Sequence, residues 1–208
     1  MRTLALETAS EACSVALFEG AHSLAAEHRI LGRGHAEQLV PMIQTLPEKG
    51  RADRILVSLG PGSFTGVRIG LATARALGVA WQAEVLGYAT LRLIHNQASP
   101  RPPRATTVCV NGGHGEWFVQ NFGPSGEAQS DLFSLSPERA AEFPVHDTIV
   151  GNRAEEYLAV VKGDRRALPI LPDAKHALTL HAAHLTKDLR PIYGRAPDAT
   201  PLMTAAPS

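Results

Sequence analysis

The sequence lacks an excess of charge of either sign. Its 208 residues contain 20 lysines and arginines and 20 aspartates and glutamates, so the formal net charge at pH 7 is zero. Proteins that bind the nucleic-acid backbone over a broad surface usually carry a clear excess of positive charge. We therefore expect any contact with RNA to be local or indirect.

Cysteines are few, and long apolar runs are missing. The two cysteines, Cys13 and Cys109, lie far apart and form no CxxC pair, which excludes a disulfide framework and a Cys/His zinc site. No run approaches the roughly 18 apolar residues of a membrane span. The N-terminal "MRTLALETAS" passes directly into a strand-like pattern without the apolar core of a signal peptide. We expect a soluble, cytoplasmic protein with two buried thiols.

Lysine is absent from residues 50–161, which matters for the glycine-rich stretch "SLGPGSFTGVRIG" at 58–70. A Walker A loop needs a lysine directly after its last glycine, and here Val67 follows Gly66. The dinucleotide pattern G-x-G-x-x-G is one residue shorter than Gly60 to Gly66. Pro61 also removes an amide that an anion would use. A nucleotide at the following helix N-terminus stays open as a minor alternative.

Small residues recur along the helix predicted at about 65–80. Gly66, Gly70, Ala74 and Gly78 are spaced by four, so they lie on one face. Each interior glycine costs about 1 kcal/mol relative to alanine, so this ridge needs a compensating close contact. Two interpretations remain: the ridge packs inside its own lobe, or it receives a helix of another subunit.

The order of predicted elements indicates an α/β fold. A meander is predicted from strands at 2–6, 13–18 and 23–30, and the helix that follows begins at His35 and contains Pro41. A βαβ unit is then predicted from a strand at 54–59, the ridge helix and a strand at 84–86. "NQASPRPPRATT" at 96–107 is predicted to be a linker. This linker divides an N-terminal lobe (1–100) from a C-terminal lobe (101–208). The C-terminal lobe is predicted to contain strands around 106–113, 116–123 and 147–152, helices at 137–143 and 174–189, and a loose tail.

Chemical constellations are sparse. His176, His181 and His184 are close in sequence, but only the last two share a face and no carboxylate accompanies them. Glu7 and Glu116 stand at strand ends without an evident base, nucleophile or metal partner. The chain contains neither G-x-S-x-G nor HExxH. We predict no catalytic residue and no metal ligand.

Four collinear segments carry a resemblance to a known family: "LALETASEACSVAL" at 4–17, "GRGHAEQLVPMI" at 32–43, "VSLGPGSFTGVRIGLATARALGVAW" at 57–81 and "PIYGRAPDA" at 191–199. They resemble the TsaB, or YeaZ, family of glycoprotease-like (peptidase M22-like) proteins. The resemblance implies the two-lobed fold of the actin, sugar kinase and Hsp70 superfamily, which is ribonuclease H-like, with mixed sheets flanked by helices. It also implies a role in the threonylcarbamoyladenosine (t6A) modification of tRNAs that read codons beginning with A.

The resemblance implies partners as well: the catalytic TsaD as a heterodimer, and TsaE in a ternary complex, while TsaC supplies the substrate. Relatives like TsaD hold a metal through two histidines four residues apart, whereas His95 here has Leu91 and Ser99 at those spacings. The phosphate loop of the superfamily is replaced by Glu7 to Glu11, which lacks glycine and adds a second carboxylate. The resemblance thus implies a scaffold without cofactor or metal.

One segment departs from the family. Many TsaB sequences read Asp-Ala-Arg-x-Gly-Glu-Val-Tyr at the start of the second lobe, whereas this chain reads Asn111 to Phe118, "NGGHGEWF". Gly115 and Glu116 are retained, but the Asp and Arg positions are not, so the role of that charged pair does not carry over.

These observations together predict a non-catalytic partner protein that docks two helices onto TsaD. The predicted interface residues are Ala36, Leu39, Val40, Ile43, Gly62, Phe64, Thr65, Gly66, Val67, Ile69, Gly70, Ala74 and Gly78. The same surface is predicted to form a homodimer when TsaD is absent. The rival hypothesis is an ATP-binding or proteolytic enzyme of the same family. Direct tRNA binding would use Arg101, Arg104, Arg190 or Arg195, which we otherwise interpret as solvated surface charges.

Overall fold

The structure, a computed structural model, describes residues 1–98 and 103–194. The first lobe is built on a five-stranded mixed sheet of order β3-β2-β1-β4-β5. β1 pairs antiparallel with β2 and parallel with β4. The strands are β1 (Arg2–Glu7), β2 (Ala12–Glu19), β3 (His22–Ile30), β4 (Arg54–Ser58) and β5 (Glu84–Tyr88).

Helices cover both faces of this sheet. α1 (His35–Thr45) and α2 (Phe64–Trp81) pack on one face, where Leu4 and Leu6 of β1 join their core. Ala5 points to the opposite face, which α3 (Thr90–Ala98) and residues 174–185 cover. Successive residues of a strand point to opposite faces, so a strand covered on both sides is apolar throughout. The meander, the first helix and the βαβ unit predicted from sequence are confirmed.

The second lobe repeats the topology of the first. Its sheet has the order β10-β9-β6-β7-β8, in which an antiparallel meander is followed by two parallel strands. The strands are β6 (Thr106–Gly113), β7 (Glu116–Phe122), β8 (Phe133–Leu135), β9 (Thr148–Val150) and β10 (Arg166–Leu168), and the helices are α4 (Pro137–Ala141) and α5 (Ala154–Val160). The predicted α/β class, with mixed sheets flanked by helices, is confirmed.

The helix predicted at 174–189 is wrong. The chain there forms two 3-10 helices, Ala174–Thr179 and Ala182–His184, because tertiary contacts fix both ends of the segment. The Ala174 N–H donates to Ser14 Oγ at 2.9 Å, and Thr186 exchanges backbone hydrogen bonds with Gly87. Residues 174–192 therefore pack on the first lobe.

The described residues contain no helix that is long and apolar enough to cross a membrane. The loose tail predicted after residue 194 and residues 99–102 of the predicted linker lie outside the described residues. Of the rest of that predicted linker, residues 96–98 belong to α3 and residues 106–107 to β6.

Candidate functional site

The first glycines of "SLGPGSFTGVRIG" press the loop against the turn between β1 and β2. A Cβ on Gly62 would lie 2.0 Å from the carbonyl oxygen of Ala9. The Ser63 N–H donates to that same oxygen at 2.7 Å, and Ser63 Oγ caps α2 by accepting from the Gly66 N–H at 3.2 Å. The loop thus makes a backbone-to-backbone contact inside its own lobe, which only glycine permits at position 62.

The small-residue ridge continues this internal contact along α2. A Cβ on Gly66 would lie 2.0 Å from the Thr8 carbonyl oxygen, one on Gly70 would lie 2.4 Å from Thr8 Oγ1, and one on Gly78 would lie 2.5 Å from Val85 Cγ2. Thr8 Oγ1 donates to the Gly66 carbonyl at 2.8 Å. The structure agrees with the first interpretation of the ridge, because the ridge glycines pack within their own lobe.

Part of the predicted partner interface is therefore corrected. Seven predicted positions are buried inside the lobe, where a partner helix cannot reach them: Leu39, Ile43, Gly66, Val67, Gly70, Ala74 and Gly78. The physical reason is that α1 and α2 use these residues to pack on the first sheet. A bulky side chain at Gly70 would strike Thr8, so such a substitution would disturb the fold rather than a surface.

The remaining predicted positions lie at or near the surface. Ala36, Val40, Phe64 and Thr65 are exposed, while Gly62 and Ile69 are half-buried. The structure adds four exposed apolar residues of α2 that the sequence interpretation missed: Ala72, Ala76, Val79 and Ala80, of which Val79 is 83% exposed. We define the α1–α2 face as Ala36, Val40, Thr65, Ala72, Ala76 and Val79.

A sequence signal for this face existed. The 18 residues of α2 contain no acidic residue and two charged ones, Arg68 and Arg75. Arg75 is used within the chain, since its Nη2 donates to the Leu189 carbonyl at 2.9 Å. A helix that is apolar on nearly all sides usually has more than one packing partner, so the side opposite the ridge could have been recognised.

An aromatic cluster extends the exposed surface at the start of α2. The rings of Phe64 and Tyr193 lie 5.7 Å apart, and Arg68 Cζ lies 3.6 Å from the centre of the Phe64 ring. Phe64 and Tyr193 are 54% and 50% exposed. Aromatic residues and arginine are the types that most often anchor protein interfaces.

A cleft of about 860 Å³ separates the two lobes. Its walls come from both, and include Ser10, Gly62, Phe64, Asn111, His114 and Tyr193. One side chain joins the lobes at the cleft: Asn152 Nδ2 donates to the two Glu11 carboxylate oxygens at 3.0 and 2.8 Å, and Asn152 Oδ1 accepts from the Asn111 N–H at 3.0 Å. Asn111 thus contacts the other lobe indirectly, through its backbone.

Glu7 is fully buried at the end of β1. Its Oε1 accepts from the Ala9 N–H at 2.8 Å, and its Oε2 has no hydrogen-bond partner within the described part of the chain. The nearby hydroxyl of Tyr88 donates to the Leu6 carbonyl instead. Burial raises the pKa of Glu7 to about 7, because transfer from water disfavours the charged form. Glu7 is therefore a buried carboxyl outside the cleft walls rather than a phosphate-facing group.

The other residues singled out in the sequence are held by local contacts. Glu116 accepts from Ser134 Oγ at 2.5 Å. His95 is buried, its Nδ1 lies 2.8 Å from Thr106 Oγ1 and its ring stacks on Phe122. Burial lowers the pKa of His95 to about 4. Leu91 and Ser99 stand at the spacings where relatives like TsaD have a second histidine. Leu91 is a core residue, and Ser99 lies outside the described residues.

The histidines near the C-terminus do not converge on a carboxylate. His184 Nε2 lies 3.3 Å from Arg92 Nη1, and the rings of His181 and His184 are 6.1 Å apart. Residues 1–98 and 103–194 contain no group of three or more His, Cys, Asp or Glu side chains that could hold a metal ion.

Two of the four arginines considered for tRNA contact lie within the described residues. Arg104 is exposed at the start of the second lobe, and Arg190 pairs with Asp188 at 2.5 Å. Arg101 and Arg195 lie outside the described residues.

Comparison with known proteins identifies the family. A family model described as "TsaD: tRNA N6-adenosine threonylcarbamoyltransferase" matches residues 25–144, more than half of the chain. The chain belongs to this family. The resemblance predicted from the sequence motifs is thereby confirmed, since relatives named TsaB and structures named YeaZ also match.

Two TsaB relatives of the family match the chain over part of its length. The tRNA threonylcarbamoyladenosine biosynthesis protein TsaB of Escherichia coli is 38% identical over 96 residues, which cover 44% of this chain and 41% of that protein. The Haemophilus influenzae TsaB is 40% identical over 82 residues, covering 36% of this chain and 33% of that protein. The chain thus spans less than half the length of these two curated relatives.

Solved structures match most of the chain. YeaZ from Pseudomonas aeruginosa superimposes with a TM-score of 0.77 at 26% identity, covering 92% of this chain and 99% of that one. The ethanolamine utilization protein EutJ from Carboxydothermus hydrogenoformans has a TM-score of 0.50 at 9% identity, a likeness of fold alone. The chain therefore shares the fold of the solved YeaZ structure, as the sequence resemblance implied.

Proposed function

We propose that this protein is a non-catalytic subunit in the formation of threonylcarbamoyladenosine at adenosine 37 of tRNAs that read codons beginning with A. It acts by forming a heterodimer with TsaD through the α1–α2 face. The observation that carries the proposal is this exposed apolar face on a helix whose opposite side is fixed to its own lobe. Membership of the family supports the pathway.

The chemistry of the face suits a helical partner. Ala72 and Ala76 are small, so another helix can approach α2 closely, and Val40 and Val79 supply apolar area at 44% and 83% exposure. The neighbouring Phe64 and Tyr193 add aromatic anchors at one end. Because the buried ridge holds α2 against Thr8, the face is presented rigidly, which lowers the entropy cost of association.

The proposal assigns the chemical step to TsaD. This chain then needs no catalytic residue and no cofactor of its own, TsaE joins the pair in a ternary complex, and tRNA is contacted indirectly in the cytoplasm. The formal net charge of zero is in line with an indirect role.

The heterodimer is tested by binding of TsaD from the same organism to surface variants. Val79→Asp and Ala76→Asp place a carboxylate in the apolar contact and should weaken the affinity by about tenfold or more. Leu168→Asp, at a 39% exposed position of β10 in the other lobe, is the matched control and should leave the affinity unchanged. Affinities measured by calorimetry that fall equally for all three variants would contradict this interface.

Reconstituted tRNA modification separates the scaffold role from the interface. Omission of this chain should reduce t6A formation by TsaD, and the two α2 variants should reduce it in proportion to the lost affinity. Full modification without this chain would contradict the proposed role while leaving the dimer itself intact.

The same face can pair with a second copy when TsaD is absent, since homologous surfaces present similar helices. Sedimentation at tens of micromolar should then give a dimer for the native chain and a monomer for Val79→Asp. A monomer for both would remove the homodimer without affecting the TsaD test.

One observation favours the rival function of ATP binding: the cleft of about 860 Å³ between the lobes is large enough for a nucleotide. Against it stands the Glu11 carboxylate at the cleft wall, which would repel phosphates. Calorimetry with ATP and Mg²⁺ distinguishes the two functions, because saturable binding by the isolated chain would favour the rival.

A further inference from the structure

The two arginines of α2 border the α1–α2 face. Arg68 stands four residues before Ala72, and Arg75 stands four residues before Val79, so each arginine lies one helical turn from an apolar residue of the face. Both arginines are exposed. Since α2 has no acidic residue of its own, the apolar face is bordered on this helix by positive charge alone.

Residues 189–193, which we call the C-terminal strap, orient Arg75. The strap is fixed to the first lobe, because the Ile192 N–H donates to the Leu59 carbonyl at 2.8 Å. Arg75 Nη2 donates to the Leu189 carbonyl of the strap at 2.9 Å. A guanidinium has five N–H donors, so this single contact holds the Arg75 side chain in place and leaves most of its donors for a further acceptor.

Arg68 is held by two aromatic side chains. Its Cζ lies 3.6 Å from the centre of the Phe64 ring, and its Nη2 lies 3.5 Å from the hydroxyl oxygen of Tyr193 in the strap. Stacking covers one face of a guanidinium, whereas its N–H donors lie in its plane and stay able to bind. The Arg68 charge is therefore preorganised, which lowers the entropy cost of binding an acceptor.

The described part of the chain does not neutralise this positive border. Within residues 1–98 and 103–194, neither Arg68 nor Arg75 forms an ion pair. Glu37, the exposed acidic residue in the first turn of α1, pairs with neither of them. A partner that covers the α1–α2 face without negative charge would strip water from two unpaired cations, which is costly.

We propose that the partner lays a helix along α2 and presents carboxylate side chains to Arg68 and Arg75. This inference rests on the proposed heterodimer and names the chemistry of the TsaD surface that the α1–α2 face selects. A guanidinium matches a carboxylate in shape and charge. An apolar centre with a polar border is the usual anatomy of a protein interface, and charges at the border speed association and reject partners of like charge.

The salt dependence of binding tests the ion pairs. The affinity of the native chain for TsaD, measured by calorimetry, should fall by about tenfold when NaCl is raised from about 50 to about 500 mM, because salt screens exposed charges. The variant with both Arg68→Gln and Arg75→Gln should be about tenfold weaker at the lower salt concentration. It should lose no more than about twofold over the same range. An affinity of the native chain that does not change with salt would overturn the proposal.

Single substitutions assign the effect to the named residues. Arg68→Glu should weaken binding more than Arg68→Gln does, because it adds repulsion, and Arg68→Lys should keep part of the affinity, because it keeps the charge without the planar group. Arg166→Gln is the matched control in the second lobe, since Arg166 is exposed and directs its Nε to Thr148 Oγ1. Circular dichroism checks that each variant is folded. Equal affinities for Arg68→Gln and Arg166→Gln would overturn the proposal.

The same measurements separate this inference from the proposed function. If Val79→Asp weakens binding and Arg68→Gln does not, the heterodimer through the α1–α2 face stands and the ion pairs are excluded. If the native chain does not bind TsaD at all, both the heterodimer and the ion pairs are excluded. Losses for Val79→Asp and Arg68→Gln, with none for Arg166→Gln, are the result expected.

Discussion

The two lobes share a strand order but differ in what their crossover helices do. In both, an antiparallel meander is followed by two parallel strands joined by a helix. In both, a glycine after the first parallel strand presses on the meander: Gly62 on the Ala9 carbonyl, and Gly151 on the Cys109 carbonyl, where a Cβ would lie 2.2 Å away. The same close backbone contact thus seats the helix in each lobe.

Beyond that contact the lobes diverge. α2 has 18 residues and carries further glycines against Thr8 and Val85, so it lies close to the sheet over its length and leaves an apolar face outside. α5 has seven residues, buries Ala154 and Tyr157, and exposes Glu155 and Glu156. A shared topology thus fixes where the helix lies, whereas the length of the helix and its outward-facing residues decide whether it can bind a partner.

The largest expected effect comes from adding a Cβ to the glycines that seat these helices. Gly66→Ala would place a methyl group 2.0 Å from the Thr8 carbonyl oxygen, and Gly151→Ala one 2.2 Å from that of Cys109 with φ at +120°. Because both contacts are with backbone, neither can relax cheaply, and we expect a loss of about 3 kcal/mol or more in the free energy of unfolding by urea.

Gly20→Ala is the matched control, since its φ is +57° and no atom lies within 4 Å of the added Cβ. It should cost about 1–2 kcal/mol from the left-handed backbone alone. A Gly66→Ala variant as stable as the native chain would mean that α2 shifts freely over the turn, and would break the comparison between the lobes.

The buried carboxyl of the first lobe gives the next effect. Glu7 follows Leu6, the last β1 residue paired with β4, and Cys109 follows Val108 at the equivalent place of β6. Burial raises the pKa of Glu7 from 4.5 to about 7, so the folded state binds more protons between these values. Its contribution to stability is present below pH 4.5 and is lost as the pH rises to about 7, by about 3 kcal/mol.

Glu7→Gln removes that dependence and should be more stable than the native chain at pH 8. His95 acts in the opposite direction between pH 4 and 6.5, because its pKa is lowered to about 4. The measurement is therefore the difference in unfolding free energy between Glu7→Gln and the native chain at each pH. A difference that stays constant from pH 4.5 to 8 would exclude a neutral Glu7.

A smaller effect is expected where the lobes meet. Asn152→Ala removes both hydrogen bonds to the Glu11 carboxylate and the acceptor for the Asn111 N–H. Urea unfolding should report a loss of about 1–2 kcal/mol. Asn96→Ala removes one exposed hydrogen bond to the Thr179 carbonyl and should cost less. Equal losses would mean that the contact between the lobes adds nothing beyond an ordinary surface bond.

Much of the first lobe could be predicted from the sequence, because its periodic patterns are long. β1, β2 and α2 carry enough regularly spaced apolar residues to identify them, and the glycine spacing correctly indicated a close helix contact. α3, α5, β8 and β10 were not predicted. β8 and β10 have three residues each, too few for a period to be recognised.

The sequence pointed to α1 and α2 but did not indicate which sides of these helices are buried. The spacing of Gly66, Gly70, Ala74 and Gly78 is the same whether the ridge meets Thr8 or another subunit, and only the fold decides. In α1, the sequence interpretation placed Ala36, Leu39, Val40 and Ile43 together in the interface, whereas Leu39 and Ile43 are buried with His35 and Met42. His35 is held there because its Nε2 lies 2.9 Å from the Ser10 carbonyl, a contact between segments that no local pattern specifies.

A substitution in α5 tests whether the helix of the second lobe takes part in partner binding, and we expect it to have the smallest effect. Glu155 lies in the first turn of α5, where a carboxylate interacts favourably with the helix dipole. Glu155→Lys should lower the unfolding free energy by about 0.5 kcal/mol and leave the affinity for TsaD unchanged in calorimetry, because α5 presents charge where α2 presents an apolar face. A loss of affinity comparable to that of Val79→Asp would show that both helices bind the partner, and the contrast between the lobes would then lie in their packing alone.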